Sequence, residues 1–272
     1  MRLKDKVAIV TGGGSGFGAG ICAKFVAEGA QVLVADINLA AAQAVAASLG
    51  PSARALRVDV AVAADVRRMM EEAEARSGRI DSLVNNAGVT HLPQALEDVS
   101  EADFDRIVAV NMKAIYLAMR EVVPRMKANA PDAQGIRGVV LNMASTAGVS
   151  PRPRLAWYNA SKGWVITATR ANAVELAPSG IRVVALNPVA GETPLLKSFM
   201  GEDTPEARAL FGQHPAGPLL YAGRPGQCRL FPVQRRGQHD HRRVHGGRRR
   251  ALHLRANLAV AQRHSVFVRM LQ

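Results

Sequence analysis

The chain has 272 residues, 48% hydrophobic and 21% charged, a balance that suits one large α/β domain with a sizeable core. No run of eighteen apolar residues occurs, which argues against a membrane-spanning helix, and two cysteines, Cys22 and Cys228, exclude a disulfide framework. The net charge of +13 suggests a nucleic-acid partner until it is located: residues 212–272 hold twelve Arg, no Lys and one acid, while residues 1–211 carry 23 basic against 21 acidic residues.

The N-terminus runs straight into an apolar segment with no signal-peptide core, so a cytoplasmic protein is expected. Residues 6–10 read as a buried strand. The loop Thr11-Gly12-Gly13-Gly14-Ser15-Gly16-Phe17-Gly18 follows, then a helix over 19–28. Glycines here let the backbone turn tightly and approach a pyrophosphate, and the helix N-terminus offers unpaired N–H groups to the anion. Taken alone, such a loop is equally an ordinary flexible turn. Asp36, at the end of the next strand (31–36), lies eighteen residues beyond Gly18, near the ~20 expected for an acid that binds a ribose 2′-hydroxyl. Its carboxylate repels a 2′-phosphate and Ser15 supplies no cation to offset it, so NAD is expected over NADP.

A third strand (53–58) leads into Asp59-Val60, and a fourth (82–84) into Asn85-Asn86-Ala87-Gly88, with His91 and Leu92 just beyond. Ser100 is placed to cap a long helix whose buried face carries Phe104, Ile107, Val108, Ile115, Leu117 and Met119. Asn111 sits inside that helix, and Pro124 is expected to end or bend it. The fifth strand (138–143) is followed by Ser145, a position that otherwise suits a turn former or helix cap. Tyr158 and Lys162 lie four apart at the start of a helix running to about residue 177, and so share one face. The ammonium is expected to draw the phenol pKa down from roughly 10 toward working pH, making Tyr158 an acid/base group for an alcohol or ketone oxygen. By itself the Tyr-x-x-x-Lys pattern is common. A sixth strand spans 181–187, and residues 189–200 are expected to form a mobile lid whose Leu195, Leu196, Phe199 and Met200 roof the substrate.

The Thr-Gly-x-x-x-Gly-x-Gly loop, the Asn-Asn-Ala-Gly turn, Ser145 and the Tyr-x-x-x-Lys pair, all in register, resemble the short-chain dehydrogenase/reductase family through about residue 211. The resemblance implies an α/β Rossmann fold, a doubly wound parallel sheet of strand order 3-2-1-4-5-6-7, usually in a homodimer or homotetramer. It implies that Gly12, Ser15, Gly16, Phe17, Gly18 and Asp36 bind the dinucleotide, that Asp59 and Val60 contact its adenine, and that Asn86, Ala87 and Gly88 line its site. Pro188 and Thr193 join them, Thr193 bonding the nicotinamide carboxamide. The family's Pro-Gly here reads Pro188-Val189-Ala190-Gly191, with the glycine displaced. Tyr158 is implied as the acid/base and Ser145 as the donor to the substrate oxygen. Lys162 is implied to hold the phenolate and bond the ribose, and Asn111 to anchor a water that relays the proton. His91, Leu92, Ser145, Trp157 and Leu195 are expected to wall the substrate pocket, and no metal is implied. The expected reaction interconverts a secondary alcohol and a ketone. The alternative, a 3-oxoacyl-thioester reductase, normally favours NADPH, which Asp36 disfavours.

Beyond about residue 211 the resemblance stops, and the family's final helix and strand, ending in Val-Asp-Gly-Gly, are missing. Back-translated and read one nucleotide later, residues 213–222 can encode Ser-Ile-Pro-Leu-Gly-Arg-Phe-Ser-Thr, and residues 244–255 can encode Cys-Met-Glu-Val-Asp-Gly-Gly-Arg-Cys-Ile and a stop. Residues 212–272 therefore read as an out-of-frame, disordered tail, and an unstable, inactive product of a damaged gene is one reading of the chain. The tail's arginine clusters, such as Arg248-Arg249-Arg250, could give salt-sensitive, non-specific nucleic-acid affinity. They form no recognisable binding module, so a nucleic-acid partner is not expected.

Overall fold

The computed structural model describes residues 1–75 and 77–188. Six strands form one parallel sheet: β1 (Val7–Thr11), β2 (Gln31–Asp36), β3 (Ala53–Arg57), β4 (Ser82–Asn85), β5 (Gly138–Met143) and β6 (Ile181–Leu186). Their order is β3-β2-β1-β4-β5-β6. Strands β1, β4 and β5 are buried along their whole length, as central strands are in a sheet covered on both faces, and their polar residues Thr11, Ser82, Asn85 and Asn142 are buried with them.

Six α-helices lie between the strands: α1 (Gly16–Ala27), α2 (Leu39–Leu49), α3 (Ala63–Glu74), α4 (Glu101–Ile107), α5 (Ala114–Ala128) and α6 (Ala156–Leu176). Alternate strand residues feed two cores. On one face Ile9, Leu33, Leu83 and Val140 pack with residues of α3, α5 and α6. On the other, Ala8, Val10, Val32 and Val84 pack with Ile21, Cys22 and Phe25 of α1 and Ala42 and Ala46 of α2. Chain order reverses on either side of β1, so a crevice opens at the carboxyl ends of β1 and β4, where such sheets bind their ligands.

The segment expected as one long helix from Ser100 is three pieces. Ser100 caps α4 as expected, its side chain accepting from the Asp103 amide. A π-helical turn, Val108–Lys113, then separates α4 from α5. Pro124 does not end α5, which continues to Ala128. The Arg125 guanidinium donates to the Glu121 carbonyl beside the break that proline makes in the helix ladder. Among the described residues β6 pairs only with β5. The segment that lacks the family's last helix and strand lies outside those residues.

Candidate active site

The glycine loop and the β4 turn are laced together at the crevice. The Thr11 hydroxyl donates to the Val84 carbonyl and accepts from the Asn86 and Ala87 amides. The Asn86 side chain donates to the carbonyls of Thr11 (2.9 Å) and Gly12 (3.0 Å). A Cβ on Gly18 would stand 2.0 Å from the Gly12 oxygen and 2.6 Å from Asn86 Nδ2, so only glycine fits. Gly12 and Gly16 have φ of +61° and +51°, the left-handed region glycine favours.

Helix α1 begins against this loop with no side-chain cap from Ser15, leaving its first amides for another acceptor. An uncapped helix end behind a bare glycine cradle fits a pyrophosphate. The Asp36 carboxylate is oriented by the Gly14 and Asn38 amides, each at 2.9 Å. Asp59 accepts from the Ala61 amide, and Val60 lines a small cavity with Thr11, Asn85, Ala87, Val110 and Ala114.

Two sides of the crevice meet at Gly88: a Cβ there would lie 3.4 Å from both Asn111 Oδ1 and Lys162 Nζ. Asn111, buried in the π turn, accepts from the Val89 amide and donates to the Val89 carbonyl, both at 2.9 Å. It also donates to Ser161 Oγ (3.0 Å), which donates to the Tyr158 carbonyl (2.7 Å). Asn111 thereby ties the β4 turn to α6. A π turn inserted at such a point commonly marks a functional site.

Ser145 lies two residues beyond the end of β5, and its Oγ accepts from the Ala147 amide at 3.1 Å. Ser145 also shares a side-chain hydrogen bond with Tyr158. Tyr158 and Lys162 are both buried, at 4% and 5% exposure. Lys162 Nζ donates to the Met143 carbonyl at 2.8 Å and lies 5.8 Å from the centre of the Tyr158 ring.

This corrects the expected electrostatics. Burial pushes the Tyr158 phenol up to about 12, although the Ser145 hydrogen bond and the Arg152 charge pull it down. Burial likewise lowers Lys162 to about 8. The ammonium does not offset the phenol's desolvation, because it is held on the Met143 carbonyl and faces the ring.

Around the mouth, the Trp157 ring packs edge-on against Phe104 of α4 at 5.3 Å, with one third of the residue exposed. Leu92 is exposed. His91 is buried, with Nδ1 bonded to the Leu92 carbonyl and Nε2 unpartnered among the described residues. Pro188 is buried, and its carbonyl accepts from the Thr146 amide and hydroxyl. Thr193 and Leu195 lie outside the described residues. No group of metal-ligating side chains occurs among the described residues.

Several contributors were not among the expected site residues. Thr11 is the first residue of the glycine motif, and that pattern carries its signal. Ser161 and Gly148 carry no sequence signal, because their roles arise from contacts with Asn111 and with the Lys162 backbone.

Residues 6–203 match the family described as short chain dehydrogenase. A 4-formylbenzenesulfonate dehydrogenase of Comamonas testosteroni is 44% identical over 78% of this chain and 83% of its own. A sorbitol dehydrogenase of Cereibacter sphaeroides is 39% identical over 69% of this chain and 71% of its own. The crystal structure of a 3-ketoacyl-(acyl-carrier-protein) reductase from Brucella melitensis complexed with NADH has a TM-score of 0.74 and 48% identity, covering 81% of this chain and 87% of that one. With its six-stranded sheet, its glycine crevice and these relatives, the chain belongs to the short chain dehydrogenase family, a family of oxidoreductases.

Proposed function

We propose that this protein interconverts a secondary alcohol and a ketone, with NAD preferred over NADP. The observation that carries the reading is the buried Ser145–Tyr158 hydrogen bond, with Lys162 one helical turn away and the glycine crevice joined to it through Gly88. When bound, the nicotinamide supplies the hydride chemistry. In oxidation Tyr158, as phenolate, takes the hydroxyl proton; in reduction the phenol gives it to the carbonyl oxygen. Ser145 donates a hydrogen bond to that same oxygen and positions it. Lys162 reaches the ribose. Asn111 fixes the π turn from which the proton is relayed outward through water.

Gly12, Ser15, Gly16, Phe17 and Gly18 cradle the pyrophosphate. Asp36 accepts from the ribose hydroxyls, which favours NAD. Asp59 and Val60 meet the adenine, while Asn86, Ala87, Gly88, Pro188 and Thr193 complete the site. His91, Leu92, Trp157 and Leu195 border the substrate. The names of relatives that act on sorbitol, galactitol and cyclopentanol support an alcohol substrate. NADH formation followed over a panel of secondary alcohols, polyols and 3-hydroxyacyl thioesters tests this. Turnover of simple secondary alcohols supports the reading, and turnover confined to thioesters with NADP contradicts it.

A cytoplasmic homo-oligomer is part of the proposal; no helix among the described residues is long and apolar enough to cross a membrane. We also infer that the dehydrogenase domain ends near residue 211 and that residues 212–272 are translated out of frame. The family match ending at residue 203 supports that boundary. Sequencing the gene tests it: a nearby single-nucleotide shift should restore the Val-Asp-Gly-Gly ending, and a gene with no such reading overturns the inference.

A further inference from the structure

The second turn of α6 buries a hydroxyl that the proposed reaction does not use. Ser161 lies between the two reacting side chains of that helix, three residues after Tyr158 and one before Lys162, and is 2% exposed. Serine in a helix interior is a weaker helix former than alanine, and a buried hydroxyl costs stability unless it is bonded. Both sides of this hydroxyl are engaged. Its Oγ donates to the Tyr158 carbonyl at 2.7 Å, so its one hydrogen is spent inside the helix. Its lone pairs remain, and Asn111 Nδ2 donates to them at 3.0 Å.

The direction of that second bond fixes which end of the Asn111 amide faces which way. A hydroxyl whose hydrogen is committed elsewhere can only accept, so the group turned toward Ser161 is the amide nitrogen. The oxygen is turned toward the segment after β4, where it accepts from the Val89 amide at 2.9 Å. An amide oxygen has two lone pairs, and Oδ1 and Lys162 Nζ each lie 3.4 Å from the point where a Cβ on Gly88 would stand. An acceptor therefore faces the notch that the Lys162 amine borders. Val89 also holds this amide, but from a loop. Ser161 holds it from the helix that carries Tyr158 and Lys162, in register with that pair. Asn111 is itself 2% exposed, so bulk solvent does not replace a lost bond.

We propose that Ser161 is a positioning residue for the proton path: it holds the Asn111 amide with its oxygen toward the Gly88 notch, and so keeps an acceptor beside Lys162 for the proton that leaves Tyr158. The inference rests on the proposed alcohol–ketone reading and deepens its relay. Ser161 acts through Asn111, and its own hydroxyl keeps its proton throughout.

The test uses the full-length protein and the secondary alcohol or polyol it oxidises fastest in the panel above. Ser161→Ala removes the acceptor and adds no bulk, while Ser161→Thr keeps a hydroxyl that can bond the same helix carbonyl. NADH formation in a single turnover should slow roughly fivefold or more in Ser161→Ala, the loss of about one hydrogen bond. The slowing in deuterium oxide should be larger than in the wild-type protein. NADH affinity should hold within about twofold, and Ser161→Thr should recover much of the lost rate. Asn111→Ala removes the residue through which Ser161 acts, so adding Ser161→Ala to it should slow the reaction no further. A serine that only steadied α6 would slow it by the same factor in both backgrounds, and that result would overturn the proposal. So would an unchanged rate in Ser161→Ala, or a loss of NADH affinity that matches the loss of rate. Each of these leaves the alcohol–ketone reading standing, whereas a wild-type protein that oxidises no secondary alcohol or polyol of the panel would overturn both.

Discussion

Gly148 lies directly against the backbone of Lys162: a Cβ built on it would stand 2.6 Å from the Lys162 carbonyl carbon and 2.8 Å from its oxygen. The 3-10 turn Thr146–Gly148, which begins at Ser145, is thereby seated on the helix that carries Tyr158 and Lys162. Two backbones meet here, so neither can yield as a flexible side chain would. Gly148→Ala is predicted to cost about 1–3 kcal/mol by overpacking. Thermal unfolding should show Tm lowered by roughly 2–10 °C. The turn should also lift Ser145 away from Tyr158, so kcat should fall more than KM rises. An unchanged Tm and kcat would mean the contact is looser than described.

Asp36 is the predicted determinant of dinucleotide choice. Its carboxylate is already aimed by the Gly14 and Asn38 amides. Asp36→Ala removes a negative charge from the place where a 2′-phosphate would sit. The ratio of kcat/KM with NADPH to that with NADH should rise at least tenfold. A ratio that does not move would assign the preference to another residue.

Lys162 is predicted to destabilise the fold while serving the reaction. Its folded pKa, about 8, lies below the ordinary 10.5, so between those values the unfolded chain binds more protons. Stability should therefore rise as pH climbs from about 8 to 10.5, and the penalty is fully present below pH 8. Tyr158 works in the opposite sense. It keeps its proton to about 12 against an ordinary 10.0, so its contribution falls as pH rises through that window. Lys162→Met should abolish the rise above pH 8 and raise stability at pH 7 by on the order of 1–3 kcal/mol, allowing for the lost bond to the Met143 carbonyl. Unfolding midpoints across pH 7–12 check both signs.

The elevated Tyr158 pKa also sets the pH dependence of turnover. Oxidation requires the phenolate, so its kcat/KM should climb about tenfold per pH unit from neutral into the alkaline range. Ketone reduction uses the protonated phenol and should stay flat over the same range. Opposite slopes would place the titrating proton on another group.

Features carried by local spacing were legible in the sequence. The Thr11–Gly18 loop, the six strands, Asp36 at the end of β2 and the Tyr158–Lys162 pair all stand where their patterns put them. What could not be read depends on tertiary contact. The upward shift of Tyr158 comes from burial, which a four-residue spacing does not reveal. The π turn at Val108–Lys113 hides in an apolar period that suits a continuous helix. Pro124 persists inside α5, although its sequence signal is to end or bend the helix. Trp157 packs edge-on against Phe104, fifty-three residues earlier, and no local pattern couples them.

The central claim is that Tyr158 moves the proton while the crevice independently holds the dinucleotide. Tyr158→Phe keeps the ring and removes only the hydroxyl. Measured on one preparation, NADH affinity should stay within about threefold of wild type, while kcat drops by a factor on the order of 10²–10⁴. A variant that binds NADH normally and still turns over at near wild-type rate would contradict the account.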